Sequence, residues 1–424
     1  MAKIKAIRSM QILDSRGNPT IETTVELSDG ISATAAVPSG ASVSSYEALE
    51  LRDKNPDHYQ GMSVYTAIEN IQSIIAPKII GMDATKQQDI DRAMIELDGT
   101  QNKSRLGANA LLAVSMAVCK AGAASSVLPL FLYLRYFVKR ENEPLHIPTP
   151  LFNMINGGLH AGMNIDFQEF HIIPASSKPY ITALETGVNI YHTLKKTLKE
   201  NNLTTLVGDE GGYGPALQNN REALDYLQKS SEAAHAHMGY DAFLGLDVAA
   251  NSFYREKSYH LKDRSMDYST NDMIEYYLQL QKDYHLLYIE DPFAEDDWDG
   301  WVKLNSKIGQ ETLVVGDDLV STNPYRLQMA LDKKAISGVI IKPNQIGTVI
   351  ETLAVVEIAK AAGLKVIVSH RSGETNDDFV SDFAVAVDAD YLKFGAPARG
   401  ERVSKLNRLS QIETHLLQIN QTKK

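Results

Sequence analysis

Leu286-Leu287-Tyr288-Ile289-Glu290 is a short apolar run that stops on an acid, and the chain repeats this device. Ala242–Asp247 and Leu313–Asp317 also end on acids, while Gly338–Lys342, Val366–His370 and Tyr391–Lys393 end on basic residues. After the first of them, the ends recur at intervals that fit one strand, one loop and one helix. Helix signals fill the gaps. Thr322-Asn323-Pro324 offers a cap followed by a proline, and the helical run Glu351–Ala362 is closed by Gly363. The longest gap holds Asn251–Ser269, polar and Tyr-rich, which reads as an inserted hairpin or loop. Repeated βα units imply a parallel sheet, open or closed. The charged ends favour the closed form, because strand C-termini in a barrel converge on one mouth. One charged strand end is an ordinary solvated residue. A succession of them predicts a ring: Asp247, Glu290, Asp317, Lys342, His370 and Lys393.

The segment before this repeat has another rhythm. Ile4–Asp14, Thr20–Leu27 and Ile31–Val37 read as strands separated by turn residues, Ser15-Arg16-Gly17-Asn18-Pro19 and Asp29-Gly30. Three strands with short connections make an antiparallel meander. Helical patterns follow from about Val64 to Leu134, so the start reads as a small α+β domain. Lys139–Glu143, charged and followed by Pro144, Pro148 and Pro150, reads as a linker. The expected domains are 1–138 and 139–424, and a chain of 424 residues is long enough for both. Ala108–Phe137 is the most apolar region, but Lys120, Pro129 and Arg135 interrupt it. It reads as a buried helix rather than a membrane span. The net charge of −11, with no basic stripe, argues against nucleic acid as a partner. The single cysteine, Cys119, can form no internal disulfide, and Met1–Met10 has no signal-peptide core. The expectation is a cytoplasmic protein.

A ring with Asp247, Glu290 and Asp317 offers oxygen ligands only and suits a hard cation such as Mg²⁺. The simpler alternative is that these acids pair with Lys342 and Lys393. A lysine serves as a base only if burial and nearby positive charge lower its pKa, and a metal with Lys393 would supply that field to Lys342. Upstream, Asn156-Gly-Gly-Leu-His-Ala161, Gln168-Glu169 and the glycine-flanked acids of Gly208-Asp-Glu-Gly-Gly212 supply further polar groups.

Taken together these segments resemble the enolase family from end to end. Asp14-Ser-Arg-Gly-Asn-Pro-Thr20, Pro38-Ser-Gly-Ala-Ser42, Gly107-Ala-Asn-Ala110, Ile289-Glu-Asp-Pro292, Gly316-Asp-Asp-Leu319, Asn344-Gln-Ile-Gly347 and Ser369-His-Arg-Ser-Gly-Glu-Thr375 stand in the family's order. The resemblance implies a C-terminal eight-stranded α/β barrel of the TIM-like, enolase type, with strands near 150 and 170 antiparallel, behind a smaller N-terminal α+β domain with a mobile loop near 38–46. It implies Mg²⁺-dependent dehydration of 2-phosphoglycerate to phosphoenolpyruvate in glycolysis and gluconeogenesis, with two Mg²⁺ per site. Asp247, Glu290 and Asp317 resemble ligands of the first Mg²⁺, and Ser39 a ligand of the second, which arrives with substrate. Lys342 resembles the general base and Glu210 the general acid, with Glu169 beside it. His160, Gln168, Lys393, His370, Arg371 and Ser372 resemble substrate contacts, the last two for phosphate. Glu290 and Asp317 also border the substrate. A homodimer or larger homo-oligomer is implied, without membrane insertion. Some positions depart from the family's usual residues: Val43-Ser44 for Thr-Gly, Met163 for Asn, Asn251-Ser252 for Ser-Glu, Pro343 for Val, Phe394 for Thr and Gly400 for Ser. They leave open a paralogue acting on a related phosphonate or phospho-acid, or a binding protein on the same fold. Val43-Ser44 in particular would stiffen the first loop.

Overall fold

The computed structural model describes residues 2–40, 44–138, 144–162, 164–262 and 264–422. The expected linker 139–143, and with it the boundary drawn after Val138, lies outside the described residues. So do Ala41, Ser42 and Val43 of the first loop, and Met163.

β1 (Ile4–Leu13) pairs antiparallel with β2 (Pro19–Leu27), and β2 with β3 (Ser32–Ala36). Ile21, Thr23, Val25 and Leu27 alternate with half-buried residues along β2, as period-two geometry requires of a one-sided sheet. The helix Ala108–Ser125 packs on β2 and β3. It is long and apolar enough to cross a membrane, but 83% of it is buried inside the protein, and Ala108 through Cys119 are all covered. A helix apolar on every side belongs in a core.

The second part is an eight-stranded closed barrel. It opens with β4 (Thr149–Asn156), β5 (Glu169–Pro174) and β6 (Ala242–Asp247). The polar Tyr-rich insert then forms a small hairpin, β7 (Tyr254–Arg255) with β8 (Ser258–Tyr259). The barrel continues through β9 (Tyr288–Glu290), β10 (Leu313–Gly316), β11 (Gly338–Ile341), β12 (Lys365–Ser369) and β13 (Tyr391–Lys393), and β13 closes on β4. The apolar runs read from the sequence are these strands. Asp317, Lys342 and His370 stand one residue past their ends. Leu151, Ile173, Tyr288, Val315, Ile340 and Ile367 form a separate cluster that fills the barrel interior, a packed core and not a pore.

Only β5 breaks the parallel rhythm. It is antiparallel to β4 and to β6, while β4 runs parallel to β13. The antiparallel pairing expected near 150 and 170 is therefore present, but β4 itself runs with the main set. Because β5 is reversed, its first residue reaches the mouth where the others present their last. Glu169 lies opposite Asp247, and Asp247 opposite Glu290.

The caps follow the sequence signals. Asn323 accepts from the backbone N–H groups of Tyr325 and Arg326 and starts the helix Pro324–Lys333. Thr348 accepts from Glu351 N and starts Val349–Ala361, two residues earlier than the apolar run alone indicated.

The helix Tyr180–Glu200 lies close on β4 through Gly187. A Cβ there would stand 2.3 Å from Phe152 Cε2, in a wholly buried ring. Alanine would gain roughly 1 kcal/mol of helix propensity, but overpacking a core costs roughly 1–3 kcal/mol. The ring has no flexible end to swing aside, so the second effect is larger. Gly187→Ala should lower the urea midpoint of unfolding; an unchanged or higher midpoint would show that the helix moves outward at no cost.

Candidate active site

Lys393, the last residue of β13, has its Nζ 2.6 Å from Asp247 Oδ2, 2.9 Å from Glu290 Oε1 and 3.1 Å from Glu169 Oε1. All four side chains are buried. Burial disfavours the ammonium, yet Asp247, Glu169 and Glu290 hold it well above the ordinary lysine value. One cation does not neutralise three acids. Burial first, and then the charge of Asp247, push Glu290 up to about 8. On the neighbouring strands Lys342 donates to Asp317 Oδ2, and Gln345 donates to Asp317 Oδ1 at 3.1 Å. Burial lowers the Lys342 pKa, but with Asp317 against it the net shift is upward. Lys342 holds extended dihedrals, φ −131° and ψ 109°, which suit the residue before Pro343.

Glu210 comes from the glycine-flanked loop. A Cβ at Gly208 would lie 2.7 Å from His160 O, and one at Gly211, φ +88°, 2.8 Å from Ala398 O. These glycines serve close backbone approach. His160, Glu169 and Glu210 form one of two groups of acids and histidines, among the described residues, whose ligand atoms lie within 4.8 Å of one another and could hold a metal ion. The other is Asp291, Asp317 and Asp318. Asp247, Glu290 and Asp317 do not form such a group, because lysine ammoniums stand among them. Of the pair Glu169 and Glu210, burial and the Glu210 charge push Glu169 well up. At Glu210 burial acts upward too, but His160, His370 and Arg402 outweigh it and hold that carboxyl well below the ordinary value.

His370 faces Glu210 with Nε2 3.5 Å from Oε2. Burial lowers its pKa to about 3, so the ring is neutral. Arg402 Nη1 stands 2.7 Å from His370 Nδ1. A guanidinium only donates, so Nδ1 accepts and the ring proton sits on Nε2, toward Glu210.

Arg371 Nη1 makes a 2.9 Å ion pair with Glu47 Oε2, both side chains buried. Glu47, Arg371, Ser372, Lys342, Glu169 and Glu210 are among the residues lining a cavity of only about 30 Å³, room for one water. Ser39 lies beside this mouth, bridged through its backbone to Gly373, with its hydroxyl donating to Asp14. Ser44 donates to Glu295 Oε2 at 2.7 Å.

The residues singled out from the sequence, His160, Gln168, Glu169, Glu210, Asp247, Asp317, Lys342, His370, Arg371, Ser372 and Lys393, come to one place, with Glu290 bound to Lys393 behind them. Sequence reasoning missed Glu47, Gln345 and Arg402. No motif marks the first and last of these. It also missed His171 and Tyr288. Strand alternation could have found those two, since each lies two residues from a carboxylate on the same face.

The surplus of buried negative charge around Lys393, carried by carboxylate oxygens, suits a hard divalent cation. The family model for the N-terminal domain of enolase matches residues 4–134, and that for the enolase C-terminal TIM barrel domain matches 144–422. An enolase of Beutenbergia cavernae is 46% identical over 416 residues, covering 98% of this chain and 96% of that protein.

Glu47 occupies the Arg371 guanidinium, for which the family resemblance implies a phosphate contact, and so competes with an incoming anion. Glu47→Gln removes that competing charge, and inorganic phosphate should bind several-fold more tightly by titration calorimetry. Equal or weaker binding would show that Glu47 holds Arg371 in position and does not compete for it.

Proposed function

This chain belongs to the enolase family, and on that premise we propose that it removes water from 2-phosphoglycerate to give phosphoenolpyruvate, reversibly. The observation that carries the reading is the disposition of Lys342 and the Glu169–Glu210 pair. Lys342 follows β11 and Glu169 begins β5, four strands away in either direction round the barrel. A substrate lying between them presents C2 to one side and C3 to the other.

In this reading Lys342 Nζ, unprotonated, takes the proton from C2. The electron pair of that C–H bond spreads into the adjacent carboxylate and then forms the C2–C3 double bond. The C3–O bond breaks, and Glu210, having received the pair's proton, gives it to the departing hydroxide to make water. Lys342 can accept a proton only when Asp317 no longer holds its ammonium, so occupation of Asp317 by another cation favours the base. Mg²⁺ held by Asp247, Glu290 and Asp317 would supply positive charge against the substrate carboxylate as C2 becomes carbanionic. Arg371 and Ser372 hold the phosphate, Arg371 through its planar fork. His160, Gln168, His370 and Lys393 line the remainder of the substrate. The proposal extends to a second Mg²⁺ with Ser39 among its ligands, to a homodimer or larger homo-oligomer, and to a cytoplasmic setting.

Phosphoenolpyruvate formation should be visible by ultraviolet absorbance, depend on Mg²⁺ and disappear with EDTA; full activity after exhaustive chelation would sink the metal assignment. The two proton transfers should separate. Lys342→Ala should abolish exchange of the C2 proton with deuterium, while Glu210→Gln should lower dehydration by roughly 10²–10⁴-fold and retain exchange. Normal exchange in Lys342→Ala would assign the base elsewhere.

A further inference from the structure

Beneath the carboxylates at the mouth the barrel carries a second polar layer that the reaction above does not use. His171 lies two residues past Glu169 on β5, and Tyr288 two residues before Glu290 on β9. Strand alternation puts each on the inward face with its carboxylate. The register aligns both with Gly245 of β6, the strand between them. A Cβ at Gly245 would stand 2.9 Å from Ile173 Cδ1 and 3.2 Å from Tyr288 Cβ. With no side chain there, the two rings meet across the strand, edge to face, with centroids 5.9 Å apart and planes at 77°.

Each ring reaches upward to one carboxylate oxygen. His171 Nε2 is 3.0 Å from Glu169 Oε2, and the Tyr288 hydroxyl donates to Glu290 Oε2. Oε1 of each acid turns to Lys393, which Glu290 Oε2 also approaches. Both rings are fully buried. His171 Nδ1 has no hydrogen-bond partner. Burial and Lys393 hold the imidazole well below its ordinary pKa, so it is neutral. Whichever partner carries the proton of the Glu169 bond, Nδ1 is left unsatisfied. A buried polar atom without a partner is destabilising, and an apolar residue of similar volume would avoid it.

We propose that His171 and Tyr288 are positioning residues that clamp Glu169 and Glu290 from below, leaving Oε1 of each acid directed into the mouth. Without the clamp, a glutamate with three rotatable bonds beside a buried ammonium is free to swing about it. Glu290 Oε2 already lies 3.0 Å from Lys393 Nζ. The Tyr288 bond holds the metal-facing acid, and the His171 bond holds the acid that shares a proton with Glu210. The inference rests on the enolase reading, and the two fail differently.

Three variants test it: Tyr288→Phe, which removes one hydroxyl, His171→Leu, which removes the ring nitrogens, and His171→Gln, which restores a donor at similar reach. Binding of Mn²⁺ to the substrate-free protein is read by electron paramagnetic resonance, beside steady-state kinetics with 2-phosphoglycerate. Tyr288→Phe should weaken Mn²⁺ binding roughly tenfold or more, the usual effect of losing a hydrogen bond behind a metal ligand. His171→Leu should leave Mn²⁺ binding unchanged and lower kcat with little change in KM, and His171→Gln should recover most of that loss. Parent-like Mn²⁺ binding by Tyr288→Phe, or a His171→Gln no better than His171→Leu, would overturn the clamp while an active parent keeps the enolase reading. A parent that neither binds Mn²⁺ nor dehydrates 2-phosphoglycerate overturns both.

Discussion

The ammonium of Lys393 and the buried acids around it set the terms for the rest of the barrel. Desolvation makes each of these charges unfavourable singly. Asp247, Glu169 and Glu290 repay it only in part, since one cation serves three acids. Protonation is one means of relief, and the surplus pushes Glu169 well up and Glu290 up to about 8. A divalent cation is the other means of relief, and metal binding of this kind releases protons. The same surplus therefore explains both the upward shifts of these acids and their suitability for a hard cation.

The N-terminal domain completes the site rather than merely covering it. Ser39 and Gly373 share two backbone hydrogen bonds, and Ser44 is tied to Glu295 and to Asp318 O. Between these anchors and Gln345 the chain inserts Glu47 onto Arg371. Further out, Asp91 of the N-terminal domain accepts from Ile350 N at the start of a barrel helix, and Lys103 pairs with Glu351 of the same helix at 2.8 Å. Burial pushes Asp91 up to about 7. A helix N-terminus favours a negative charge, and that contact partly offsets the cost of burying it. The first loop is thus bound to barrel loops through Ser39 and Ser44.

The barrel was legible because its strands are buried on both faces and end abruptly. Continuous apolar runs closed by charge survive any change of loop length, so Ala242–Asp247 and Tyr391–Lys393 coincide with β6 and β13. The mouth was legible for the same reason. The simpler alternative, lysine–carboxylate pairing, describes the contacts these side chains make, Lys342 with Asp317 and Lys393 with Asp247. The second layer was not legible by motif, because His171 and Tyr288 sit inside apolar runs and carry no signature of their own. Their meaning depends on register with Gly245, a relation between strands that no single segment contains. Glu47 and Arg402 lie far along the chain from the groups they touch, and only the closed fold brings them to Arg371 and His370.

The reversal of β5 is what brings Glu169 to the mouth. In a wholly parallel barrel each strand offers its C-terminal residue to the mouth and then leaves for a helix. β5 instead starts at the mouth, so the connection from β4, carrying His160 and Gln168, stays there. The loop around Glu210 joins the same side, with Ala396 N donating to Glu210 O at 2.9 Å and Tyr213 bridged to Ile155. Between Asn153 and Ile155 the pairing of β4 with β5 shifts register, an irregularity of the kind that re-aims side chains beside active sites. At that shift Asn153 donates to Glu210 Oε2 at 3.2 Å. Carboxyl groups able to share a proton are thereby collected on one wall. Lys342, arriving at the end of an ordinary parallel strand, stands on the other. The place of Glu169 at the mouth is thus set by strand direction, and its distance from Lys342 by strand order, neither of which a side-chain substitution can alter.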